Sequence, residues 1–99
     1  MKILFTKDAF ESLDSILHFY SEKVSEKKLS QIIENIFNRI EILVDFPHAG
    51  QIEEVLKSLN KGHRRIIAGN YKIIYRIENN IIYITDIFDT RQNTSKMKK

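Results

Sequence analysis

The chain has 99 residues, 42% of them hydrophobic and 10% aromatic, which suits a single domain with its own core and leaves no room for a second folded unit. It contains no Cys, so disulfides, Cys-built zinc sites, iron–sulfur ligation and thiol catalysis are excluded and a cytoplasmic, reducing setting is expected. The net charge of +3 hides a division: residues 1–60 carry seven Lys/Arg against ten Asp/Glu, whereas residues 61–99 carry nine against three.

That basic second part predicts a polyanionic or acidic partner. His18, His48 and His63 lack the i, i+4 spacing of a His-built metal site, so neither a metal nor another cofactor is expected. Met1 to Phe5 runs into Lys7, Asp8 and Glu11 too quickly for a signal peptide. No apolar stretch reaches bilayer-spanning length, and no membrane partner is expected.

In chain order, Ile3-Leu4-Phe5 is a short apolar run of strand length, followed by Thr6 as a helix N-cap. Phe10, Leu13, Ile16, Leu17, Tyr20 and Val24 then fall at the spacing of an amphipathic helix. Ser25 offers a second cap, and Leu29, Ile32, Ile33, Ile36, Phe37, Ile40, Leu43 and Val44 form a second, more regular stripe that Pro47 ends. So short a link between two helices predicts a helical hairpin. Ile52 to Leu59 has spacing for a helical turn or two, and the Glu53-Glu54 pair reads as its start, where carboxylates favour the helix dipole.

After Gly62 the period changes from 3.6 to 2. His63–Ala68, Tyr71–Ile77 and Ile81–Phe88 read as strands, separated by Gly69-Asn70 and Asn79-Asn80, which suit two-residue hairpin turns. The expected class is α+β, a helical hairpin packed on a small antiparallel sheet, in one domain over residues 1–99. Residues 89–99, polar and basic, read as a flexible tail.

Two-residue turns fix a register in which Ala68 faces Tyr71, Ile66 faces Ile73, Ile77 faces Ile82 and Tyr75 faces Ile84. One face of the sheet then holds Ile66, Ala68, Tyr71, Ile73, Tyr75, Ile77, Ile82, Ile84 and Phe88, suited to the helical stripes. The other holds His63, Arg65, Lys72, Arg76 and Tyr83 among Ile67, Ile74, Thr85 and Ile87. Cations, an imidazole and a phenol on a partly apolar floor are the groups that hold a phosphate backbone and stack on bases, or dock an acidic partner. His18 and His48 read as uninvolved surface residues.

The hairpin ending in Phe46-Pro47-His48-Ala49-Gly50, then His63-Arg64-Arg65-Ile66-Ile67, Asn70-Tyr71-Lys72-Ile73-Ile74-Tyr75-Arg76-Ile77 and Ile84-Thr85-Asp86-Ile87-Phe88-Asp89-Thr90-Arg91 resembles the RelE/ParE superfamily of bacterial toxins. The resemblance implies the toxin of a type II toxin–antitoxin system. Its partner would be a small acidic antitoxin, with which it would form a hetero-oligomer. Two targets follow from the two branches. A ParE-like member would arrest growth by acting on DNA gyrase and would lack the cutting branch's catalytic set; Arg65, Lys72, Arg76, Tyr83 and Arg91 are the candidate nucleic-acid- or target-binding residues on either reading. A RelE-like member would cut ribosome-bound mRNA without a metal, and the branch's functional positions fall on His63, Arg65, Lys72 and Arg91. A third reading is an inactive relative that still binds the antitoxin. The position where the cutting branch often has a catalytic Tyr or His falls near Met97, whose thioether can neither take nor give the required proton. Of the tail residues, Arg91 is expected to serve the site, and Lys96 to Lys99 only to add general electrostatics.

Overall fold

The computed structural model describes residues 1–99. Its elements are β1 (Lys2–Phe5), α1 (Lys7–Tyr20), α2 (Glu26–Asp45), β2 (Gln51–Ile52), a 3-10 helix (Glu54–Leu59), β3 (Arg64–Ala68), β4 (Tyr71–Glu78), β5 (Ile81–Asp89) and a final 3-10 turn (Thr94–Lys96). Both predicted caps form: Thr6 accepts from the Ala9 N–H and Ser25 from the Lys28 N–H, each at 3.1 Å. No helix is long and apolar enough to cross a membrane.

The sheet runs β1-β5-β4-β3-β2. Its β3–β4–β5 meander is antiparallel, and β1 adds to the edge of β5 in parallel, Ile3 beside Ile82 and Phe5 beside Ile84. Three residues of apolar run could announce a strand but not its partner. Asn79 and Asn80 both take positive φ (51° and 60°), as a type I′ hairpin requires, whereas at the other turn only Gly69 does (φ 59°), as in type II′. The predicted pairs Ala68–Tyr71, Ile66–Ile73, Ile77–Ile82 and Tyr75–Ile84 all form.

Beyond Tyr75 the register shifts by one: Ile74 faces Asp86, Ile73 faces Ile87 and Lys72 faces Phe88. Thr85 is therefore the extra residue of a β-bulge, and every side chain after it changes face. This corrects two expected placements. Ile87 joins Ala9, Leu13, Ile16, Ile36, Ile40 and Leu43 in the helix-side core. Phe88 moves to the other face, where it packs with Leu56, Ile74 and Met97 in a second small core.

Met97, only 5% exposed, marks a second correction. The segment expected to be a flexible tail folds back over the sheet: the Lys98 N–H donates to Asp86 Oδ2 at 3.0 Å, and the Lys99 backbone oxygen lies 3.1 Å from His63 Nε2. One apolar side chain supplies the burial that a run of lysines cannot, and two backbone groups find partners beside it.

Candidate target-binding face

On the face away from the helices, cross-strand geometry and the 3-10 helix decide which cations are available. Arg65 on β3 sits opposite Gln51 of β2, and its guanidinium donates to the Ile52 carbonyl and, at 3.1 Å, to Gln51 Oε1. Lys72 on β4 reaches Glu53 Oε1 at 3.1 Å, and Arg65 Nη1 lies 4.0 Å from that same oxygen. Glu53 is 1% exposed; its Oε2 caps the 3-10 helix by accepting from the Val55 N–H at 3.1 Å. The acid expected to begin a helix does so, and it also pairs two members of the predicted site. Nothing in the pattern Glu53-Glu54-Val55-Leu56 distinguishes the buried acid from the exposed one, except that the first stands at the cap position.

Arg76 and Tyr83 are cross-strand partners, with the guanidinium carbon 4.7 Å from the ring centroid, so this pair forms as a cation–π contact. Arg76 also bonds the Glu78 carboxylate, and its buried Nε has no partner.

His63 was expected on the open face and is instead buried at 1% exposure. The returning tail covers it. One ring nitrogen meets the Lys99 oxygen, the other is sealed without a partner, and its pKa is lowered chiefly by burial, then by the nearby Arg76 and Lys61 charges, against the Lys99 bond that raises it. An imidazole so enclosed cannot reach a substrate hydroxyl in this conformation.

Arg91 is placed elsewhere. It bonds both oxygens of Asp89 (2.9 and 2.8 Å) and the Tyr20 hydroxyl (3.0 Å) at the end of α1. Those bonds hold the Asp89 carboxyl below its usual range, and Tyr71 and Arg91 together lower the Tyr20 phenol, while burial raises that of Tyr71. Beside this network a groove of about 390 Å³ runs between α1 and the returning tail, lined by Ser12, Ile16, Phe19, Tyr20, Tyr71 and Lys96 among others. His18 and His48 are exposed and outside both groups.

The structure thus joins Arg65 to Lys72 through Glu53 and Arg76 to Tyr83, buries His63, and sets Arg91 by α1. Sequence reasoning missed Glu53, Asp86 and Met97. Asp86, 2% exposed, accepts from Ser12 Oγ at 2.6 Å and from Lys98 N–H, so it ties α1 to the tail. The arrangement is an ordered, partly apolar surface whose cations are each held by a carboxylate or a ring rather than left free around one open centre.

A family model described as the ParE toxin of the type II toxin–antitoxin system parDE matches residues 3–94. A solved structure of the chromosomal ParDE TA system from P. aeruginosa superposes with a TM-score of 0.74, covering 90% of this chain and 95% of that one at 22% identity. No curated protein matches the sequence significantly.

Proposed function

The chain belongs to the ParE toxin family of type II toxin–antitoxin systems, and from that premise we propose that it arrests growth by acting on DNA gyrase in the cytoplasm. The observation that carries the choice of target is that the RNA-cutting set is not gathered, free, around one open centre. His63 is enclosed under the tail, Arg65 and Lys72 are paired with Glu53, and Arg91 is paired with Asp89 beside α1. Cleavage at a ribose 2′-oxygen needs a proton acceptor and phosphate-stabilising charges gathered within hydrogen-bond reach of one centre. A protein that acts by binding another enzyme needs only a stable, complementary surface.

A partner antitoxin belongs to the same reading. The excess of cations in residues 61–99 favours an acidic chain, and a disordered segment that folds on binding would cover the basic, partly apolar face or the α1 groove. The decisive experiment runs two assays on one preparation of purified protein. Supercoiling by gyrase should be inhibited, or cleaved DNA trapped, while ribosome-bound message stays intact. Cut message with unaffected gyrase would replace this reading with the ribonuclease one.

A further inference from the structure

Lys72 hydrogen-bonds Glu53 Oε1 at 3.1 Å, and the Arg65 guanidinium, which donates to the Ile52 carbonyl and Gln51 Oε1, lies 4.0 Å from that same oxygen. The Lys72 and Arg65 side chains retain 23% exposure, while that of Glu53 retains 2%. The carboxylate therefore lies beneath the two cations, which form a partial roof between it and solvent. Two cations on adjacent strands within ion-pair range of one anionic oxygen is an arrangement that can take a phosphate group. Here the anion comes from the protein itself.

That anion is fixed before any ligand arrives. The Glu53 N–H donates to the His63 carbonyl at 2.9 Å, and Oε2 accepts from Val55 at 3.1 Å, so backbone and side chain are both tied. An intramolecular partner held in this way competes at an effective concentration of about millimolar or more, with no association entropy left to lose. A diffusing phosphate would have to displace it and leave a buried carboxylate unpaired, which is strongly unfavourable.

We infer that Glu53 is a built-in anion that occupies a phosphate-type site formed by Arg65 and Lys72, and so excludes nucleic-acid backbones from this part of the sheet. Glu53 is thus a specificity-determining residue: it converts two cations that would track RNA into an internally paired group with half their charge, open to protein contact. The inference does not depend on the gyrase target, since it concerns only what this pair rejects.

Binding of a short fluorescent oligouridylate, titrated over a salt series, tests it. Glu53→Gln should bind about tenfold more tightly at low salt, and its dependence of log K on log salt should steepen by about 1.4, two released cations at about 0.7 each for a single strand. Adding Lys72→Ala or Arg65→Ala to Glu53→Gln should remove the gain. Two results would overturn the inference: a folded Glu53→Gln protein, verified by circular dichroism, with no gain in affinity, or a gain that persists when both Arg65→Ala and Lys72→Ala are added to it. Where Glu53→Gln does not fold, Glu53→Asp, which keeps the charge but withdraws it by one methylene from the two cations, takes its place: a smaller gain is expected, and no gain overturns the inference.

Discussion

The hydroxyl of Tyr75 bridges the loop that leaves α2: it accepts from the Gly50 N–H at 2.9 Å and donates to the Pro47 carbonyl at 2.8 Å. Burial raises its pKa, so the phenol stays protonated and keeps both bonds. Tyr75→Phe should cost about 1–3 kcal/mol, because it leaves Gly50 N–H and the Pro47 carbonyl without their partner. Gly50→Ala should cost a similar amount for a different reason, since an added Cβ would lie 2.6 Å from the Arg65 carbonyl oxygen and 2.7 Å from the Tyr75 hydroxyl. Urea unfolding of both variants measures each cost.

The returning tail gives a second expectation. Met97→Ala should lose about 2 kcal/mol, the low end for a buried methionine because its cluster is small. Removing residues 96–99 should cost more, since the bonds to Asp86 and His63 go with it. Hydrogen exchange should show faster exchange at the Lys98 amide in the Met97 variant.

His63 predicts a pH dependence whose sign follows from burial. Its folded pKa lies below 6.5 while the unfolded chain titrates near 6.5, so below that pH the unfolded state binds a proton that the folded state refuses. Its contribution to stability is complete above the unfolded pKa and is lost as pH falls toward the folded one, at no more than about 1.4 kcal/mol per pH unit. His63→Gln should flatten that part of the curve. An unchanged slope in denaturation midpoints across this range would show that His63 ionises freely.

Arg91 is exposed and bonded to Asp89 and Tyr20. Arg91→Ala should leave the melting temperature nearly unchanged, as exposed ion pairs add little. The variant should nevertheless weaken growth arrest in cells that express it without antitoxin. Matched expression of wild type, Arg91→Ala and Arg91→Lys separates a loss of charge from a loss of the forked contact with Asp89.

Local chemistry made most of the scaffold readable in advance. Thr6 and Ser25 cap helices through short-range bonds, and Gly69-Asn70 and Asn79-Asn80 set the hairpins, because their backbone demands are written in two residues. The bulge at Thr85 left no such trace. Ile81-Ile82-Tyr83-Ile84-Thr85-Asp86-Ile87-Phe88 carries apolar residues in both phases of the two-residue period, so a slip of one position changes the face without disturbing the pattern. A single methionine has no period at all, which is why Met97 reads as tail. At the candidate site, Arg65, Lys72, Arg76 and Tyr83 were legible as a face, but their partners lie far along the chain. Glu53 is 19 residues from Lys72, and Lys99 is 36 from His63. Such pairings are set by tertiary packing.

The parallel pairing of β1 with β5 has a consequence for synthesis. Phe5 lies beside Ile84, so one of the first strands to leave the ribosome must wait for one of the last. Contacts of that sequence separation close late and slow the overall search. The helical hairpin can form while translation continues, but the completed sheet exists only once residues 81–84 have emerged and β1 has docked. A chain interrupted before that point therefore has neither the β1–β5 pairing nor the finished face that carries Arg65, Lys72, Arg76 and Tyr83.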